Sequence, residues 1–292
     1  MNSFLAIIGE GIKPVAQRVF NLSFVYFDIA FLVVFIALLI WQKKYMTLLV
    51  GFLAGILYTI VDFGVFYAAY GERHICLQNI VNGVGTGWVE QDVGMVFLIL
   101  LWMSMSYGFT NFTWIWLWIS KDKRLFEWSL LILCWWLCGP MLASQFTLNL
   151  EIMTYRATKI THGGMAIMFL MGYIGVIMWN LKHTGNKAHL INIGWIFIMG
   201  VLVQFGWELG LLLGGIRNAE GIPFNQQMLT LIVNSLIETN LGMPYIYVLF
   251  IMYSAKFTEK MKKRDNQLTF LDRLEENNNE RVKGESLGEY FG

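Results

Sequence analysis

The chain has 292 residues, of which 57% are apolar, 16% aromatic and only 14% charged, with a formal net charge of +1 and a mean hydropathy of +0.54. A soluble domain of this size has no use for so much apolar surface, so the composition selects a polytopic membrane protein. The near-zero net charge excludes a nucleic-acid binder, which needs a concentrated basic face. Cys76 in a loop and Cys134 and Cys138 within an apolar run give no disulfide framework.

The first twenty residues lack the basic start, apolar run and small-residue cleavage site of a signal peptide. Phe4, Ile8, Ile12, Val15 and Val19 recur at helical spacing, with Glu10, Lys13, Gln17 and Arg18 around the rest of the helix. This predicts a short amphipathic helix over residues 1–20 lying on the membrane, broken near Pro14. Seven apolar runs follow: Leu22–Trp41, Met46–Tyr70, Asp92–Ile119, Leu125–Thr147, Gly163–Leu181, His189–Ile216 and Gln227–Ala255. The expected fold class is therefore all-α, a seven-helix transmembrane bundle over residues 21–255, followed by a charged cytoplasmic tail over 256–292. The connections Gln42–Lys44 and Ser120–Arg124 are too short for anything but antiparallel neighbours. The glycine-rich stretch Gly71–Gln91 reads as a flexible connector, with a lid over the bundle as the other reading.

Lysine and arginine set the orientation. Lys43, Lys44, Lys121, Lys123, Arg124, Lys182, Lys187 and the tail cluster fall on one side, against Lys13, Arg18, Arg73, Arg156, Lys159 and Arg217 on the other. The N-terminus is thus expected outside and the C-terminus inside, in a plasma or inner membrane. Trp41, Trp114, Trp116, Trp118 and Trp179 then sit at the cytoplasmic ends, as an interfacial aromatic belt.

Within this layout Asp28 lies about one turn below the outer surface, Asp62 and Glu208 about two and Glu238 nearly three, at roughly 1.5 Å per residue. A carboxyl among hydrocarbon costs several kcal/mol unless it is protonated, paired or wet, which makes Glu238, Asp62 and Glu208 the candidate catalytic acids. For Asp28 and Asp92, near the interface, helix anchoring is the expected role. Tyr58, Tyr107, Asn111, Gln204, Trp207 and Asn234 are the candidate substrate-binding residues, with Ser104, Ser144 and Gln145 nearby. On a continuous seventh helix Asn234, Glu238 and Tyr245 share a face and Asn240 points away. The cavity is expected to open outward and to be negative, and crowding among its carboxyls to keep a proton on at least one of them.

No span holds an interior lysine for a retinal Schiff base. His74, His162, His183 and His189 lie at or beyond the membrane edges, so no intramembrane metal site is expected. With no phosphate-binding loop and no serine near a histidine base, no cofactor is expected, and any catalysis is carboxyl chemistry.

The segment LIWQKKYMTLLVGFLAGILYTIVDFGVFY resembles the first turn and second helix of the small seven-helix membrane terpene cyclases of fungal meroterpenoid and indole-diterpene pathways, with Asp62 at the acidic position. NSLIETNLGMPYIYV resembles their last helix, with Glu238 at its acid. The chain departs from the family in one place: its Trp-Glu pair is Trp207-Glu208 in the sixth span, whereas Val61 precedes Asp62 in the second. The resemblance implies protonation of an epoxide or alkene on a polyprenyl chain by Glu238 or Asp62, with Trp207 and Tyr58 stabilising the cation. The expectation is an enzyme acting on a lipid or lipid-like small molecule. Its rival is a transporter or binder that holds a proton, metal ion or organic cation on the same acids, and a structural subunit of a larger complex is the third reading.

Overall fold

The structure, a computed structural model, describes residues 14–146, 148–157, 161–185, 190–217 and 224–262. Residues 1–13 of the expected amphipathic segment and the tail beyond Lys262 lie outside the described residues.

Seven helices are long and apolar enough to cross a membrane, over Leu22–Trp41, Tyr45–Ala69, Val93–Ile119, Leu125–Ser144, Gly163–Lys182, Ile193–Leu213 and Gln227–Tyr253. A helix satisfies its backbone polar groups internally, so such runs fold this way where water is absent. We label α1 Leu22–Trp41, α2 Tyr45–Ala69, α3 Val93–Ile119, α4 Leu125–Ser144, α5 Thr161–Lys182 and α6 Ile193–Leu213. The seventh span is discontinuous. Helix α7, Phe224–Ile237, ends at Glu238, a 3-10 turn covers Thr239–Leu241, and α8, Met243–Lys262, restarts beside Pro244. Proline lacks the amide a continuing helix needs, which places the break where the sequence carries its deepest acid.

Helix α3 is the axis of the bundle: 56% of its spanning window is enclosed, against 11% for α2 and α5. Gly51 and Gly55 on α2 let it approach α3 closely, because a Cβ at either would run into Thr113, Phe109 or Met105. Gly108 on α3 answers them, with the Ala54 carbonyl and the Gly55 Cα 3.1 Å from where its own Cβ would stand. Both helices widen into π turns at this level, over Ile60–Ala69 and Met105–Phe109. The segment that carries Asp62 and the segment that carries Tyr107 are therefore both out of α register.

The bundle is not all-α. A half-barrel sheet is also present, built from β1 Pro14–Asn21, β2 Arg73–Val81, β3 Val84–Gly85, β4 Val89–Glu90 and β5 Leu150–Ala157. The order is β1-β5-β2-β3, all antiparallel, with β4 also on β2. Residues 14–20 thus form a strand rather than part of a surface helix, because their amides find partners on β5. The Gly71–Gln91 stretch is likewise a folded hairpin and not a flexible connector. Asn82 and Gly83 both take positive φ, 52° and 78°, and pair Val81 with Val84 across a tight turn.

The sheet's strands lie in the N-terminal segment and in the second and fourth connections, so they share one end of the bundle. The sixth connection joins them there, as the Val19 amide donates to the Ile216 carbonyl at 2.9 Å. At the opposite end Lys44 pairs with Asp122, which also caps the α3–α4 turn by accepting from the Arg124 amide at 2.9 Å. Trp114 and Trp116 are core residues, not members of an interfacial belt. Both are buried, and Trp114 donates its indole N–H to Ser129 at 2.8 Å.

Candidate functional site

The polar centre lies where α2, α3, α6 and the broken seventh span meet beneath the sheet. Gln204 on α6 is its hub. Fully buried, it accepts on Oε1 from the Tyr107 hydroxyl at 2.5 Å and the Thr239 hydroxyl at 2.6 Å. Its amide donates to Glu238 Oε2 at 2.9 Å and to Glu208 Oε1 at 3.3 Å. A buried amide with both ends engaged fixes α3, α6 and the span break in one register.

Glu208, one turn along α6, is 1% exposed and surrounded by donors. Arg217 grips it with both arms of its guanidinium, Nε to Oε2 at 2.8 Å and Nη2 to Oε1 at 2.6 Å. Arg18 from β1 and Asn234 from α7 reach Oε1 at 3.5 Å. Burial disfavours the Arg217 charge, yet the Glu208 carboxylate outweighs it and holds the guanidinium above its usual range. Arg18 goes the other way: burial, with Arg217 and Arg73 adding repulsion against the pull of Glu208 and Glu238, pushes it down to about 10. It is still a cation at neutral pH.

Asp62 meets Arg73 of β2 at 3.6 Å. Tyr58, one turn earlier on α2, stands within electrostatic reach of both Asp62 and Glu238, and its ring packs edge-on against Tyr107 with centroids 4.9 Å apart. Tyr107 in turn faces Trp207 at 5.8 Å. The three acids and the aromatic faces expected from the sequence therefore gather at one end of the bundle. Arg18, Arg73 and Arg217, which sequence reasoning assigned only to topology, gather with them, so among the described residues Glu208 and Asp62 face cations rather than forming a negative cavity. For Glu208, crowding by other carboxyls gives way to ion pairing.

The remaining candidates divide. Asn111 is fully buried with neither amide atom hydrogen-bonded among the described residues, and the Trp207 and Ser104 side chains likewise keep buried polar atoms without partners there. Such groups call for a guest with hydrogen-bonding atoms or for water. Ser144 and Gln145 bond each other at the exposed end of α4 and take no part. Tyr245 is half exposed and donates to the Met168 carbonyl, while Asn240 is fully buried and accepts from Tyr173 at 2.9 Å. The span break reverses the facing expected for a continuous helix. Asp28 and Asp92 are anchors. Asp28 accepts from the Trp102 and Trp135 indoles at 2.9 and 3.0 Å, and Asp92 caps the start of α3. The side chain of His162 lies outside the described residues, and those residues contain no metal-binding group of His, Cys, Asp or Glu.

No protein-family model, curated protein or solved structure matches this chain.

Proposed function

We propose that this chain is a multi-pass membrane enzyme in which Glu238 donates and recovers a proton on an apolar, isoprenoid-like substrate that enters sideways from lipid. One observation carries the reading: Glu238 stands at the break of the seventh span, tied by a neutral amide to a tyrosine and a threonine. Arg217 and Arg73 bind Glu208 and Asp62 as ion pairs, and Glu238 lies within electrostatic reach of Arg18 and Arg217. The Gln204 N–H can donate to a carboxylate oxygen or to the C=O of a carboxylic acid, so it tolerates either state of Glu238.

In this scheme Glu238 protonates an epoxide oxygen or alkene carbon. The π faces of Tyr58, Tyr107 and Trp207 stabilise the carbocation, and the Glu238 carboxylate takes back a proton as the new alkene forms. The product is an isomer of the substrate, so no co-reactant is consumed. This is the chemistry implied by the likeness to the membrane terpene cyclases, with Glu208 reassigned from acid to structural counter-charge. Asp62, beside Arg73, supplies negative potential near the cation.

The terminal epoxide of farnesol is the probe. Incubated with the protein in proteoliposomes, it is expected to yield a cyclised isomer of the same mass, in which the epoxide oxygen has become a hydroxyl and one C–H has been lost as the new alkene forms. The discontinuous seventh span favours one rival, a proton-coupled transporter. Unchanged epoxide together with proton flux across the vesicle wall supports that rival, and neither signal removes both readings.

The lysine-rich end is proposed to face the cytoplasm and the sheet to face outside. A membrane-impermeant maleimide is therefore expected to label Thr86→Cys, in the exposed β3–β4 loop, on intact cells. Labelling only after lysis contradicts this orientation.

A further inference from the structure

The arginine cluster carries information that the acids do not. Arg217 occupies both Glu208 oxygens at hydrogen-bonding distance, and Gln204 and Asn234 donate to Oε1 as well. Arg18 reaches the same oxygen only at 3.5 Å, with its side chain 15% exposed. Among the described residues this is its single polar contact. A guanidinium has five N–H donors in a planar fork, and burying it with so few engaged leaves most of its desolvation unrepaid. Arg217 and Arg73 are close enough to repel it, against the pull of Glu208 and Glu238. Next to Glu208 on α6, the Trp207 indole N–H is buried without an acceptor among the described residues. Around Glu208 and its chain neighbour Trp207, both a guanidinium and an indole are thus left short of acceptor oxygens among the described residues.

We propose that Arg18 holds the oxyanion, a carboxylate or a phosphate, of an amphipathic ligand whose apolar chain runs along the Tyr58–Tyr107–Trp207 wall. This deepens the acid–base reading of the same site by naming the substrate class, and it rests on that reading for the ligand's place beside Glu238. Bidentate arginine recognition suits both carboxylate and phosphate geometry, and an oxyanion would supply the missing acceptors. A soluble amphipath and an anionic bilayer lipid share this chemistry.

The test uses full-length protein in phosphatidylcholine nanodiscs, titrated with oleate and farnesyl monophosphate and with their neutral counterparts oleyl alcohol and farnesol. The anions are expected to bind about ten-fold more tightly than the alcohols. Arg18→Gln should erase that preference and Arg18→Lys should retain most of it. Nanodiscs that also contain phosphatidylglycerol separate the sources. If the phosphatidylglycerol raises the thermal midpoint in an Arg18-dependent way and added oleate then has no effect, the bilayer lipid is the occupant. Equal binding of acid and alcohol by the wild-type protein, or a preference that survives Arg18→Gln, overturns the proposal. The wild-type comparison holds even if Arg18→Gln misfolds. Glu238→Gln run in parallel keeps the two readings apart. Anion preference with Glu238-independent epoxide conversion sinks the acid–base reading alone, and Glu238-dependent conversion without anion preference sinks this one alone.

Discussion

Replacing Glu208 with glutamine is expected to destabilise the protein by about 3–5 kcal/mol, the range found when one member of a buried ion pair is removed. The reason is the company the carboxylate keeps. It is 1% exposed, Arg217 grips it through two bonds, and Arg18 leans on the same oxygen. The glutamine can accept one of these bonds but leaves two guanidinium charges without their nearest counter-charge. The cost is also structural in reach, because β1, α7 and the connection after α6 all meet at this side chain through Arg18, Asn234 and Arg217. The double variant Glu208→Met/Arg217→Met is expected to be more stable than Glu208→Gln alone, since it removes a charge together with its partner. Thermal or denaturant unfolding in detergent checks both. A loss below about 1 kcal/mol for Glu208→Gln would place the pair among weak surface-type bridges.

Glu238→Gln is expected to do the reverse: to leave the fold nearly unchanged and to lower turnover of the polyprenyl epoxide by about 10²–10⁴, the usual contribution of a positioned proton donor. The isostere keeps an acceptor for the Gln204 amide, so the Tyr107–Gln204–Thr239 hub should survive. Asp62→Asn provides the comparison. Its carboxylate acts through charge, at 3.6 Å from Arg73, so activity should fall far less than in Glu238→Gln. If the two variants lose activity equally, the assignment of separate roles to the two acids fails.

The two variants also mark what could be read from the sequence and what could not. The seven spans were legible because a membrane helix announces itself by run length alone, and their limits agree with the structure to within a few residues. The acids stood out against hydrocarbon for the same reason, and so did the Pro244 interruption beside Glu238. The sheet was hidden because its strands are only two to nine residues long and lie before or between far longer apolar runs. One signal for it was present: Asn82-Gly83 between Val81 and Val84 is a strong hairpin signature, and Ile75, Ile80, Ile152 and Thr154 are the β-branched residues a sheet favours. Strand β1 offered no comparable signal, since its helical apolar spacing is overridden by pairing with β5, whose partner residues lie 130 to 143 positions away in sequence.

The arginines were hidden in a different way. Arg18 and Glu208 are 190 residues apart, and nothing local to either marks the other as its partner. Positive residues near span ends carry a topological meaning that is read first, and it masked their role as counter-charges to the buried acids. The break at Glu238–Gly242 was partly legible from Pro244, but not its consequence, which is that Asn240 turns inward and Tyr245 outward.

The central claim is that Glu238 is the group that gains and loses the proton, and infrared difference spectroscopy of a pH jump on the protein in nanodiscs tests it most directly. The account predicts a carboxylic C=O band that shifts in 2H2O, disappears in Glu238→Gln and persists in Asp62→Asn. A band that survives Glu238→Gln, or a wild-type difference spectrum with no carboxylic band at all, would contradict it.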